Sequence, residues 1–133
     1  MREIEFRGKR IDNREWIYGN LMQFEDSATF IFADERKGAS TLTYAHFIIN
    51  NMHAIDEKTL GQYTGLKDKY GKKFFEGDIC WDEHNDCYGV VKFEDAKFLY
   101  LWENIAEDLW EVADDIEICG NIHENPELLE GTE

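Results

Sequence analysis

Apolar and polar positions alternate along much of the first half of the chain. Ile4-Glu5-Phe6-Arg7 has period two, the spacing of a half-buried strand, and Gly8 reads as its end. Strand geometry places Arg2, Ile4 and Phe6 on one face and Glu3, Glu5 and Arg7 on the other. Asp12-Asn13 is a turn signal before Trp16-Ile17-Tyr18-Gly19-Asn20-Leu21-Met22, a run rich in aromatic and branched residues. The two runs predict an N-terminal β-hairpin. Asp26-Ser27 turns the chain into a third run, Thr29-Phe30-Ile31-Phe32, and Asp34 to Gly38 reads as a polar loop. Residues 40–58 are ambiguous. Thr41-Leu42-Thr43-Tyr44 suits a strand, but Ala45 to Ala54 groups Phe47, Ile48 and Ile49 without alternation, so a short helix or irregular connection fits equally well.

Beyond residue 60 the runs shorten. Leu60 to Leu66 leads into a polar turn, Lys67 to Lys72, with Gly71 within it. Phe74 to Trp81 reads as a strand region with a bend or bulge at Gly77-Asp78, and Asp82 to Asp86 as the next turn. Tyr88 to Phe93 and Lys97 to Trp102 are two further strands joined by Glu94-Asp95-Ala96. Ile105, Leu109 and Val112 fall at i, i+4 and i+7, which predicts a helix over 103–113. Ile116 to Gly120 resumes β alternation, and Asn125-Pro126 reads as the N-cap and first position of a short helical turn. Short strands with tight turns between Leu60 and Gly120 suit a small closed or half-closed barrel, and no βαβ alternation occurs. The expected fold is mainly β, or α+β with little helix. It forms one domain over residues 1–133: an N-terminal β region (1–59), a barrel region (60–122) and a tail (123–133).

Composition supports a packed domain. The 133 residues are 43% hydrophobic and 14% aromatic with a single proline, which argues against disorder. Even the longest apolar stretches are short, such as Phe30-Ile31-Phe32-Ala33, so no transmembrane helix is expected. Met1-Arg2-Glu3-Ile4-Glu5 has no apolar core of a signal peptide, so a soluble, cytoplasmic protein is expected. Three cysteines, an odd number, fit reduced thiols better than a disulfide framework.

Charge changes the picture more. The net charge is −15, but residues 1–73 hold 12 Lys and Arg against 11 Asp and Glu, a balance of +1. Residues 74–133 hold Lys92 and Lys97 against 18 acids, a balance of −16. Such a half is either a solvated surface that favours solubility or a face that docks on a basic partner. Direct contact with phosphates needs cations. The candidates are Arg7, Lys9 and Arg10, interrupted by Glu3, Glu5 and Asp12, together with Lys67, Lys69, Lys72 and Lys73.

Metal and catalytic patterns are sparse. Cys80-x3-His84-x2-Cys87, with Cys119-x3-His123, supplies zinc-ligand types but no Cys-x2-Cys knuckle, and the donors would have to converge across strands. Cys80 and Cys119, beside Ile79, Trp81 and Ile118, read as core residues. Cys87 with His84 is the local thiol–imidazole pair, but Asp82, Glu83 and Asp86 would disfavour a thiolate there. Acid doublets such as Glu94/Asp95 and Asp114/Asp115 point to opposite faces of a strand, and no nucleotide-binding fingerprint is present. No catalytic, cofactor or metal residues are therefore assigned.

The order of three blocks resembles YopX-like proteins: Glu3 to Arg10 with Trp16 to Leu21, Gly61 to Lys72 running into Phe75-Glu76-Gly77-Asp78-Ile79, and Gly120 to Leu129. The resemblance implies a phage or prophage protein, mainly β, with an SH3-like barrel element in the second half and the β-hairpin as an N-terminal extension. It carries no activity or ligand residues to transfer. Cys80 and Cys119 stand where such proteins usually place apolar residues. The expectation is a non-enzymatic binding protein in the bacterial cytoplasm, its partner a basic host or phage protein. A nucleic-acid-associated barrel is the alternative. Self-association fits a chain with strand edges and many aromatics.

Overall fold

The computed structural model of the chain describes residues 4–24, 28–33 and 52–130. The turn expected at Asp26-Ser27, the loop from Asp34 to Gly38 and the ambiguous stretch 40–51 lie outside the described residues. The chain divides into two compact units, Glu3–Gln62 and Tyr63–Glu133.

In the first unit, β1 (Phe6–Arg10) and β2 (Trp16–Gln23) form the expected hairpin, with Arg7 opposite Tyr18 and Lys9 opposite Trp16. The hairpin is joined by β3 (Thr29–Phe32), which pairs β2, and by β4 (Met52–Lys67), which pairs β3 through Phe30 and Ala54. β4 also pairs antiparallel with β1, Phe6 lying opposite Gln62 and Arg10 opposite Ile55. The four pairings thus close on themselves, which removes edges that would otherwise expose unpaired backbone. Ile17, Ile31, Ala33 and Ile55 fill the interior, with Phe6 and Leu60 packed against them. Gly8 continues β1 where the sequence suggested an end, and Ile55 occupies the space that a side chain there would need.

The β1–β4 register slips between Arg7 and Lys9, and Thr59 holds the irregularity together. Its hydroxyl accepts the Lys9 N–H at 2.8 Å and donates to the Asp56 carbonyl at 2.6 Å. This bulge explains why residues 52–58, ambiguous by periodicity, are strand: the extra residues break the alternation without breaking the pairing.

The second unit contains the end of β4, β5 (Lys73–Phe75), β6 (Asp78–Asp82), β7 (Cys87–Glu94), β8 (Lys97–Trp102) and β9 (Ile105–Asp108). A one-turn helix α1 (Leu109–Val112), a 3₁₀ turn (Ala113–Asp115), β10 (Ile116–Asn121) and a second one-turn helix α2 (Glu127–Glu130) follow. The strand order is β10-β6-β7-β8-β9, all antiparallel. Four strands meander, and the last returns to pair with the first, as a small half-closed barrel requires. Phe74, Cys80, Val91, Tyr100, Leu109, Ala113 and Ile116 form its core.

The helix expected over 103–113 is confined to Leu109–Val112. Residues 105–108 are strand instead, with Trp102 opposite Ile105 and Leu99 opposite Asp108. The Trp102 indole N–H donates to the Glu107 carboxylate at 2.7 Å and fastens that pairing. The misleading spacing arises because an exposed strand residue, Ile105, is followed four positions on by the core residue Leu109 that opens the helix. At the tail, the helical turn forms, but the Asn125 side chain reaches back and accepts the Asn121 N–H at 3.2 Å.

Gly89 lies on β7 beneath the fully buried Tyr100, whose ring occupies the place of a Cβ. Gly89→Ala is expected to destabilise the protein by about 1–3 kcal/mol in urea denaturation, because the core must shift to admit a methyl group. A change below about 0.5 kcal/mol would show that Tyr100 is free to move aside.

Candidate binding surface

The carboxylates of the second unit serve two ends. Asp68, Asp78 and Asp82 are buried, at 4%, 2% and 3% exposure. Asp68 accepts the N–H groups of Tyr70 (2.9 Å) and Lys72 (2.8 Å) on one oxygen and that of Ile118 (3.0 Å) on the other. Asp78 accepts the Phe75 N–H at 2.7 Å. Asp82 accepts those of His84 and Asn85 and the Asn85 side-chain amide. Asn121 does the same for His123 and Glu124. Each of these side chains organises a turn by satisfying backbone donors that the turn leaves unpaired. The turns so fixed, and the neighbouring ones, carry exposed acids: Glu83 and Asp86 between β6 and β7, Glu94 at the end of β7 with Asp95 after it, and Asp114 and Asp115 before β10.

The cations are largely engaged. Arg7 is buried with its guanidinium 4.8 Å from the Trp16 ring centre, and the Lys9 ammonium lies 5.7 Å from the same ring. Arg10 grips Asp12 through Nε at 3.0 Å and Nη2 at 2.6 Å, which holds the exposed Asp12 carboxyl below its ordinary pKa. Arg14 pairs with Asp56 at 3.3 Å. In the Lys67–Lys73 turn, Lys69 meets Glu83 at 3.6 Å, and the Lys73 ammonium stands 5.0 Å from the Tyr63 ring centre. Of the basic residues singled out from the sequence, Arg7, Lys9, Arg10, Lys69 and Lys73 thus lie against acids or rings of their own units, while Lys67 and Lys72 are exposed.

The thiols and imidazoles are not brought together. Cys80 is in the core and Cys87 is buried, whereas Cys119, expected to pack, is exposed on β10. His84 is exposed in the β6–β7 turn and His123 half-buried after β10. Among the described residues, no three His, Cys, Asp or Glu side chains gather where they could hold a metal ion. Burial, aided by Asp78, pushes the Cys80 thiol well above its ordinary pKa. Burial, aided by Asp82, raises that of Cys87. Neither is disposed to form a thiolate.

The surplus of aromatics in the sequence allows for an exposed aromatic platform but does not show which rings converge. Leu66, Phe93, Phe98 and Trp110 line a cavity of about 450 Å³ in the second unit, with Trp110 69% and Phe93 47% exposed. These residues come from β4, β7, β8 and α1. Trp110 sits in the one turn of the expected helix that forms.

Two comparisons bear on this arrangement. The two-unit β architecture and its turns belong to a known class: residues 5–130 match the family model described as YopX protein, and the chain belongs to that family. The chain is also similar to the crystal structure of protein EF1440 from Enterococcus faecalis, at 24% identity and a TM-score of 0.60, over 97% of this chain and 99% of that one. At that identity the likeness is one of fold. No curated protein matches the chain. Among the described residues, no helix is long and apolar enough to cross a membrane.

Buried protonated groups make the fold sensitive to alkali. The pKa of Cys80 and that of Tyr100 are raised above the ordinary 9.0 and 10.0, in both by burial first. Above those values the unfolded chain releases protons that the folded chain retains, so stability is full below about pH 9 and falls as pH rises. Tyr100→Phe is expected to flatten the decline above about pH 10, measured by urea denaturation across a pH series. An equally steep decline in the variant would assign the alkaline loss elsewhere.

Proposed function

We propose that the chain is a non-enzymatic phage or prophage accessory protein that acts in the bacterial cytoplasm by binding a basic host or phage protein. Its second unit then serves as an SH3-like barrel that presents acidic turns. The observation that carries this reading is the division of labour among the carboxylates: Asp68, Asp78 and Asp82 are spent on holding turns rigid, while Glu83, Asp86, Glu94, Asp95, Asp114 and Asp115 are exposed. A fixed array of like charges loses little conformational entropy when a complementary surface arrives, and it speeds encounter with a cationic partner.

A nucleic-acid-associated barrel is less well supported. Arg7 is buried against Trp16, Arg10 is clamped by Asp12, and Lys69 faces Glu83, so each would have to leave a partner before meeting phosphate.

The test begins with affinity purification of the tagged protein from infected or induced cells. The affinity of the recovered partner is then measured over a salt series. A tenfold or greater weakening between about 50 mM and about 500 mM NaCl is expected, since screening lengths shrink over that range. An affinity independent of salt would contradict an electrostatic docking face.

A further inference from the structure

We propose that the groove lined by Leu66, Phe93, Phe98 and Trp110 is the docking site for an extended segment of a partner protein, one that carries an apolar side chain flanked by arginine or lysine. This inference rests on the binding function proposed above and names the place and chemistry of the contact.

Apolar surface is the first consideration. Phe93 and Phe98 pack against each other with ring centres 4.8 Å apart and ring planes tilted by 57°. Leu66 and Phe98 also pack against the core, so the floor of the groove is anchored to the rigid part of the unit. Trp110 and Phe93, by contrast, leave much of their surface in water. Large aromatics at the mouth of a concave apolar site are the side chains most often found at the energetic centre of interfaces.

Charge selects the occupant. The charged residues of the lining, Lys97 and Asp108, pair with each other at 3.2 Å and largely cancel. The exposed residues next in the chain to the groove are three acids and two lysines: Glu94 and Asp95 follow Phe93, Glu111 follows Trp110, Lys67 follows Leu66 and Lys92 precedes Phe93. No Lys or Arg follows Lys97 anywhere in the sequence. An apolar floor bordered by more acids than lysines, in a half of the chain with two Lys against 18 acids, complements a segment that is apolar at its centre and cationic at its flanks. It repels nucleic acid, and it repels the equally acidic half of a second copy of this chain.

The experiment uses the full ¹⁵N-labelled chain and three synthetic peptides: leucines flanked by arginines, serines flanked by arginines, and leucines flanked by glutamates. The leucine–arginine peptide is expected to perturb the amides of Phe93, Ala96 and Lys97 and the Trp110 indole N–H. The serine peptide should bind about tenfold more weakly or worse, and the glutamate peptide should leave the spectrum unchanged. Trp110→Ala, at an exposed position, should keep the melting temperature and weaken the leucine–arginine peptide about tenfold or more. Equal binding by any two peptides, perturbation centred elsewhere, no binding at all, or unaltered affinity in Trp110→Ala would overturn the proposal. So would saturation of the same signals by single-stranded oligonucleotide or by self-association on raising the protein concentration. If both arginine peptides bind with salt-sensitive affinity and Trp110→Ala changes nothing, the groove is wrong while the acidic-face reading stands. A cell-derived partner whose binding ignores salt removes that broader reading instead.

Discussion

The Asp68 carboxylate is the tie on which the second unit depends. It is buried, and an ionised carboxylate taken out of water is costly unless its oxygens are met by donors. Here they are met by three backbone N–H groups from two segments, the Lys69–Lys72 turn and Ile118, which lies fifty positions along the chain. The backbone adds its own bonds at the same place: Lys69 N–H to the Ile116 carbonyl at 3.2 Å, and Asp68 N–H to the Lys72 carbonyl at 2.8 Å. One side chain thus fixes a turn and pins the returning strand β10 to it. Charge-assisted bonds of this kind are each stronger than neutral ones, and losing the carboxylate strands all three donors at once.

The same device recurs with Asp78, Asp82 and Asn121, and it reframes the charge of the chain. A balance of −16 over the last sixty residues suggests uniform self-repulsion, yet two of those acids, Asp78 and Asp82, are buried in hydrogen-bonded turns, as is Asp68 just before them. Of the exposed remainder, Glu83 and Asp86 stand on the turn that Asp82 holds. The first unit follows another logic. Arg7 and Lys9 lie against Trp16, Arg10 and Arg14 pair with acids, and its strands close by pairing β4 back onto β1.

Strands with clear alternation or dense aromatic content, such as Trp16 to Met22 and Lys97 to Trp102, were legible in the sequence because local pattern and tertiary environment agree there. Legibility fails where a residue's role depends on a distant partner. The Thr59 bulge hides the strand character of residues 52–58. Ile105 and Leu109 share a helical spacing by coincidence of a strand passing straight into a helical turn. Cys119 looks like a core residue beside Ile118, but its side chain is exposed. Nothing local separates Asp68 from the solvated acids, or joins Leu66 to Phe93 and Trp110, because both facts are made by long-range packing.

The account is tested most directly by replacing one buried and one exposed acid and following urea denaturation together with amide hydrogen exchange. Asp68→Ala is predicted to cost about 2–4 kcal/mol and to remove exchange protection at Tyr70, Lys72 and Ile118. Asp115→Asn, at an exposed site, should change stability by less than about 0.5 kcal/mol. A variant lacking the Asp68 carboxylate that kept wild-type stability and full protection at those three amides would contradict the claim that this side chain holds the acidic unit together.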